Sequence, residues 1–232
     1  MEMDKFEETC SNVENVISYY FNSLLERERE RQSLQLTVKE QYRIMEQIAK
    51  DFVEFEIIAE EISFIRDLFI EIIHDNYKSY RDRYVAIEER PTEEEFATKL
   101  AGHALLNRIS PQKNQIGFIN DFIFGILIGD CILEDDSILE EMDGKYIDIA
   151  CTAYASRSDE KKNELLEKVL PQIDRLNYEQ QLDTEIKLAN TIQRNYESHY
   201  FSNRSFQDVF FDGSYGFKKC TFRNCLFKES IF

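Results

Sequence analysis

Phenylalanines recur every five residues at the end of this 232-residue chain, and this spacing restricts its fold more than any other feature of the sequence. They stand at Phe217, Phe222, Phe227 and Phe232. A period of five fits neither an α-helix, which repeats every 3.6 residues, nor a simple strand, which repeats every two. A right-handed square β-coil accounts for it, because each five-residue unit forms one side of the coil and points the same positions inward.

Small residues stand two positions before three of these phenylalanines, in the units Cys220-Thr-Phe-Arg-Asn, Cys225-Leu-Phe-Lys-Glu and Ser230-Ile-Phe. These units resemble the pentapeptide-repeat family. The resemblance implies a coil whose core holds the large and the small position of every unit, here Phe217, Cys220, Phe222, Cys225, Phe227, Ser230 and Phe232. An irregular amphipathic tail packed on the rest of the chain is the alternative.

The repeat has two irregularities. Phe206 and Phe211 have the five-residue spacing, but the step from Phe211 to Phe217 is six, so the register slips there. The array also breaks off in mid-unit at Phe232, whereas solenoids need stacked neighbours to bury their core. We therefore expect an incomplete array in a chain that is a piece of a longer protein.

The remaining sequence predicts an all-α body, because its apolar residues recur at three- and four-residue steps. Capping-box patterns begin at Thr37 and Thr92. Helices are predicted over 4–32, from Thr37 to about Phe55, over 59–75, from Thr92 to about Gly102, and over 122–133, 137–156, 158–169 and 178–200. Segments 104–109 and 115–119 flank a turn-like stretch and favour a small β-hairpin, and Asn120 is predicted to cap the helix that follows it.

The predicted fold is therefore mainly α: a multi-helix bundle with a small β-hairpin, followed by a short right-handed pentapeptide-repeat β-coil. The predicted domains are a helical domain over 1–202 and a repeat-like tail over 203–232.

The net charge also differs between the predicted helical domain and the predicted tail. The net charge is −17, with 45 acidic and 28 basic residues, yet residues 204–232 carry +2. An acidic body repels polyanions, so nucleic-acid binding is disfavoured except through the tail. The alternating run from Glu26 to Arg31 predicts an exposed helical face.

Cysteine usage and hydropathy indicate a cytoplasmic protein without a metal or other cofactor. The five cysteines are an odd number, and the acidic N-terminus has no signal segment. Cys220 and Cys225 lack further ligands at zinc spacing. The apolar run from Ile116 to Leu133 is interrupted by Asn120, Asp121 and Asp130, which indicates a buried helix and no membrane span.

One pattern suggests catalysis. Arg194 and His199 form an Arg-x4-His pattern that resembles the motif of the HEPN superfamily of α-helical ribonucleases. The resemblance implies a metal-independent ribonuclease dimer, with His199 as general acid or base and Arg194 stabilising the phosphate. On one regular helix these two residues lie about 140° apart, so a kink or a dimer would have to join them. The alternative is a surface arginine and a helix-end histidine that interacts with the C-terminal dipole.

Other polar candidates favour structural roles. Glu71-Ile-Ile-His74 supplies one half of a di-iron carboxylate–histidine set, and no second half exists, so His74 is interpreted as a helix-end residue. His103 is expected to be packed or capping. Gly144-Lys145 lacks the rest of a P-loop, so no nucleotide site is recognisable.

The order of the segments is similar to the region that follows the ATPase core in NACHT-type STAND NTPases. The resemblance rests on the helix pair around Leu25–Arg31 and Leu36–Ala49, on Leu105-Leu and Ile116–Gly125 as a hairpin leading into an aromatic helix, and on the repeat tail. The family usually has a histidine where this chain has Asn120.

This resemblance implies a non-catalytic regulatory and interaction module in bacterial signalling or phage defence. The module would be the helical arm and the start of the sensor, with an upstream ATPase core or another protein as its partner. Homo-oligomerisation and a degenerate stand-alone relative of the family stay open, and the HEPN-like ribonuclease is the alternative function.

Overall fold

A computed structural model of the protein describes residues 13–110, 114–173, 196–198, 200–202, 205–207 and 217–228. These residues are mainly helical and include a small antiparallel sheet, in agreement with the predicted fold class at that level. The chain divides into two compact units, residues 1–131 and 132–232. The predicted boundary at 202/203 is a different division and stays a prediction.

Helices make up most of the first unit. They are α1 (Val13–Gln32), α2 (Val38–Glu54), α3 (Ile62–Ile73), α4 (Tyr77–Arg81), α5 (Glu93–Ala101) and α6 (Asp121–Glu134). The last three residues of α6 lie beyond the boundary of the unit. Short 3-10 turns cover His74–Asn76 and Ile87–Glu89. Residues 4–12 of the predicted first helix lie outside the described residues.

Local capping signals set the starts of three of these helices. Thr37 and Thr92 form complete capping boxes with Glu40 and Glu95, as predicted, and thereby satisfy backbone N–H groups in the first turns of α2 and α5. The side chain of Asn120 accepts a hydrogen bond from the N–H of Ile123 at 2.9 Å, which confirms its predicted capping role at α6.

Three strands form the antiparallel sheet of this unit. They are β1 (Ala59–Glu61), β2 (Leu106–Ser110) and β3 (Gln115–Phe118), in the order β1-β3-β2. The predicted hairpin is confirmed as β2 and β3. The prediction of one helix over 59–75 is wrong for its first three residues, because they pair with 115–117 on the free edge of β3. A helical pattern in the sequence cannot reveal this hydrogen bonding, since the partner strand is distant along the chain.

Aromatic packing joins the sheet to the helices. Phe118 of β3 stacks on Phe124 of α6 with ring centroids 4.8 Å apart, and Phe52 of α2 meets both rings edge-on. Phe52 and Phe124 are almost completely buried. This cluster therefore holds the hairpin against the helices, and the turn from α5 into β2 is positioned by it.

The described helices of the second unit are α7 (Gly144–Tyr154) and α8 (Asp159–Ile173), preceded by a 3-10 turn over Asp136–Glu140. The predicted helix over 137–156 is therefore interrupted. Asp143 causes the interruption, because its carboxylate accepts hydrogen bonds from the N–H groups of Lys145 and Tyr146 and so begins a new helix.

The described part of this unit also contains six short strands. They are β4 (Tyr196–Glu197), β5 (Tyr200–Ser202), β6 (Ser205–Gln207), β7 (Phe217–Lys218), β8 (Thr221–Arg223) and β9 (Leu226–Lys228). The predicted helix over 178–200 is wrong at its C-terminal end, since Tyr196, Glu197 and Tyr200 are in strands. Pairing with strands that come later in the chain outweighs the local amphipathic pattern there. The remainder of that predicted helix, 178–195, lies outside the described residues.

Candidate functional site

The paired strands of the second unit have one constant offset. β4 pairs with β7, β5 with β8 and β6 with β9, and every pair is parallel. The register matches Tyr196 with Phe217, Phe201 with Phe222 and Phe206 with Phe227. The offset is therefore the same in all three pairs and equals four five-residue units plus one residue. Each pair matches one aromatic position with another.

Burial within this segment follows the five-residue period. From Lys218 to Phe227, the half-buried residues are Cys220, Phe222, Cys225 and Phe227, and the six others are exposed. These four are the large and small positions that the repeat pattern singles out. Of the other predicted core residues, Phe217 lies in β7, whereas Ser230 and Phe232 lie outside the described residues.

Stacked rings connect the two rows of strands. The rings of Phe201 and Phe222 are nearly parallel, with centroids 5.1 Å apart, and Phe227 meets Phe222 edge-on at 5.5 Å. The ring of Phe201 is almost fully buried. The thiol of Cys225 lies 3.7 Å from the carbonyl oxygen of Phe201, so a small residue of one row also contacts the other.

The backbone turns between the strands with residues in the left-handed region. Ser198, Lys219 and Asn224 have φ values of 59°, 59° and 54°. Lys219 and Asn224 are one five-residue unit apart, and Ser198 precedes Lys219 by the same offset that relates the paired strands. The backbone bends at all three positions, which follow β4, β7 and β8.

The outer surface of this segment is basic at several points. Lys218, Lys219 and Arg223 are exposed. Lys218 forms an exposed ion pair with Glu197 at 3.1 Å, and such a pair contributes little to stability.

The residues predicted for ribonuclease chemistry stay a prediction. Arg194 and His199 both lie outside the described residues. Their neighbours 196–197 and 200–202 are in strands, so the single helix on which the motif was placed does not extend through 196–202. His74 is exposed at the end of α3 and lies 3.0 Å from Glu93, as expected for a helix-end histidine.

A buried polar cluster in the first unit joins the end of α1 to the turn before β2. Glu28 is 1% exposed, although it lies in the run that was predicted to face solvent. Its carboxylate accepts hydrogen bonds from the side chains of Arg31 and Gln32 and, at 3.2 Å, from the N–H of Ala104. Arg31 and Gln32 in turn donate to the carbonyl oxygen of Gly102. Burial by itself would raise the pKa of Glu28, but these donors hold it below its ordinary value.

His103 belongs to the same cluster and is completely buried, which confirms that it is packed. Its Nδ1 accepts a hydrogen bond from the N–H of Leu105 at 3.1 Å, so the proton of the neutral ring is on Nε2, which faces Oε1 of Gln41 at 3.4 Å. Burial lowers the pKa of His103 to about 4, because desolvation penalises the charged imidazolium. The ring is therefore neutral near pH 7 and acts as part of a structural contact.

Sequence reasoning missed Glu28, and a signal was available. Glu28 follows Leu25 by three residues and Phe21 by seven, so it continues the buried stripe of α1. The alternating charges around it concealed this position. The charge run is therefore not a uniformly solvated face.

Two findings concern metal-binding clusters and membrane-spanning helices in the part of the chain that the structure describes. There, histidine, cysteine and acidic side chains do not gather in groups of three or more that could bind a metal ion. In the same ranges, no helix combines the length and the apolar character that crossing a bilayer requires. Comparisons with protein-family models, with curated proteins and with solved structures found no match to this chain.

Proposed function

We propose that this chain is a non-catalytic regulatory and interaction module, and that its C-terminal segment is a pentapeptide-repeat β-coil that binds a protein partner. The proposal rests on two regularities of this segment, one in burial and one in strand pairing. The half-buried positions recur with the five-residue unit, and the strands pair with one constant offset. Stacked coils of this kind present an extended surface on which partners bind.

The offset has a simple interpretation in this proposal. Four five-residue sides make one coil, and the six-residue step between Phe211 and Phe217 adds one residue. The offset between paired strands then corresponds to one complete turn of the coil, lengthened by one inserted residue. The stacked rings of Phe201 and Phe222 would be equivalent positions in successive coils.

The first unit supports a structural and regulatory role over catalysis. The buried carboxylate of Glu28 and the buried imidazole of His103 are occupied by hydrogen bonds within the cluster and are shielded from solvent. A general acid or base must be reachable by substrate, and neither side chain is. We propose that this unit is the helical arm of a bacterial STAND-type NTPase of the signalling or phage-defence kind, and that it relays partner binding at the coil to an ATPase core.

The proposal is tested by recovering the affinity-tagged chain from its native cell. The expected result is co-purification of a protein or domain with a P-loop, identified by mass spectrometry, together with a second partner that depends on the coil. Phe222→Ser should remove the coil-dependent partner and leave the ATPase association intact. Leu226→Ser is the matched comparison, since Leu226 is 62% exposed in the neighbouring unit and its substitution leaves the repeat core intact. Loss of the coil-dependent partner in Leu226→Ser as well would mark a direct surface contact.

Two outcomes would contradict this function. Recovery of no P-loop protein would remove the STAND assignment, and coil-dependent binding that survives Phe222→Ser would remove the assigned role of the repeat core. Purified chain should also leave single-stranded RNA intact. Cleavage that disappears in His199→Ala would establish the ribonuclease alternative instead.

A further inference from the structure

The outer side of α1 presents a stripe of exposed residues with an unusual composition. Val16, Tyr19 and Tyr20 are 42%, 58% and 43% exposed, and Ser23, Arg27 and Glu30 continue the same side further along the helix. We call these six residues the α1 stripe. With about 100° per residue, all of them lie within about 60° of the direction of Ser23, whereas the buried Phe21 and Leu25 point to the opposite side.

The α1 stripe is complementary to itself in antiparallel orientation. If a two-fold axis passes beside Ser23, a residue n positions before it faces the residue n positions after it in the other copy. Tyr19 then faces Arg27, Tyr20 faces Glu26, and Val16 faces the aliphatic stem of Glu30. The small side chain of Ser23 allows the two helices to approach closely at the axis.

Each of these pairings has favourable chemistry. An arginine guanidinium over a tyrosine ring gains a cation–π interaction, and the contact is made twice in a symmetric pair. The hydroxyl of Tyr20 can donate to the carboxylate of Glu26, which carries an ion pair to Arg29 at 2.6 Å within its own helix. Within the described residues, no hydrogen bond or ion pair occupies the side chain of Arg27, so this cation is available to a partner.

We propose that the α1 stripe binds a second copy of this chain as an antiparallel, two-fold symmetric helix pair centred on Ser23. The stripe runs from Val16 to Glu30 and therefore along about 21 Å of helix, which is small for an obligate dimer. The dimer should accordingly be reversible, with a dissociation constant in the micromolar range. The proposal is independent of the coil and of the STAND assignment.

Sedimentation velocity of the full chain at micromolar concentrations, up to a few hundred micromolar, tests the proposal. The expected result is a reversible monomer–dimer equilibrium that Arg27→Glu weakens at least tenfold, because the substitution places a carboxylate against the ring of Tyr19. Arg43→Glu is the matched control. Arg43 lies on the surface of α2, its substitution changes the net charge equally, and dimerisation should be unaffected.

Cross-linking locates the axis independently of affinity. Ser23→Cys should form a disulfide with the same position of the second copy under mild oxidation, identified as a linked peptide by mass spectrometry. Ser18→Cys should not, because Ser18 is exposed on the same helix but lies about 140° from Ser23. A chain that stays monomeric throughout the range overturns the proposal. A dimer that persists in Arg27→Glu and is not cross-linked in Ser23→Cys also overturns the proposal. In that case the coil is the other surface to test, with Phe222→Ser.

Discussion

Nδ1 of His103 accepts a hydrogen bond from the backbone N–H of Leu105 at 3.1 Å, and the completely buried ring is neutral near pH 7 because burial lowers its pKa. If Nδ1 were protonated, its N–H would face the backbone N–H of Leu105, and two hydrogen-bond donors would oppose each other. The contact therefore links the charge of one side chain to the geometry of the turn that leads from α5 into β2.

The first prediction concerns the pH dependence of stability. Burial lowers the pKa of His103 from 6.5 to about 4, so the unfolded chain takes up a proton near pH 6.5 and the native protein does not. This one side chain therefore makes unfolding more favourable by about 3 kcal/mol as the pH falls from 6.5 to 4. Urea unfolding across this pH range measures the loss. His103→Gln removes the titration, and an unchanged pH slope in that variant would contradict the prediction.

The second prediction concerns the carboxylate of Glu28. Glu28→Ala should lower the free energy of unfolding by about 2 kcal/mol, because the partly buried N–H of Ala104 loses its acceptor and Arg31 loses its carboxylate partner. Urea unfolding of the full chain at neutral pH measures the loss. Glu26→Ala provides the comparison, since the pair of Glu26 with Arg29 is exposed and should contribute less than about 1 kcal/mol. Equal effects of the two substitutions would mean that the buried cluster has no special role.

The third prediction concerns the close approach of β1 to β3. A Cβ atom on Gly117 would overlap the carbonyl oxygen of Ile58 and would lie 2.7 Å from Cδ1 of Ile109. Gly117→Ala should therefore force the strands apart and destabilise the protein by about 2 kcal/mol. At Gly102 the same methyl group would meet its neighbours at 3.5 Å or more, so Gly102→Ala should change stability by less than about 0.5 kcal/mol. Thermal unfolding followed by circular dichroism distinguishes the two variants.

The fourth prediction concerns the paired strands β4–β9 of the second unit. Phe222→Ala removes the ring that stacks on Phe201 and meets Phe227, and should cost roughly 2 kcal/mol of local stability. Hydrogen exchange should accelerate at the amides of β5, β8 and β9, whereas amides of α2 and α6 should keep their protection. Leu226→Ala should leave exchange unchanged, as its side chain is 62% exposed. Equal acceleration by both substitutions would argue against an inward position for Phe222.

Sequence alone was sufficient for features that depend on neighbouring residues. The capping boxes at Thr37 and Thr92, the Asn120 cap and the β2–β3 hairpin all follow from groups within a few residues of one another, and all are present. Cys220, Phe222, Cys225 and Phe227, which the five-residue pattern selects, are half-buried, and the β-coil itself stays a proposal. Local hydrogen bonding and periodic burial are properties that a linear pattern can express.

Only the tertiary structure decided the features that depend on distant partners. Ala59–Glu61 is a strand because the edge of β3 lies beside it, and Tyr196–Glu197 is a strand because it pairs with Phe217–Lys218. Glu28 is buried because Ala104, 76 residues away, supplies a hydrogen-bond donor. In each case a local preference, for helix or for exposure, is outweighed by backbone groups that would lack partners without the contact. That balance depends on which segments meet in space, and the spacing of residues along the chain does not reveal which segments meet.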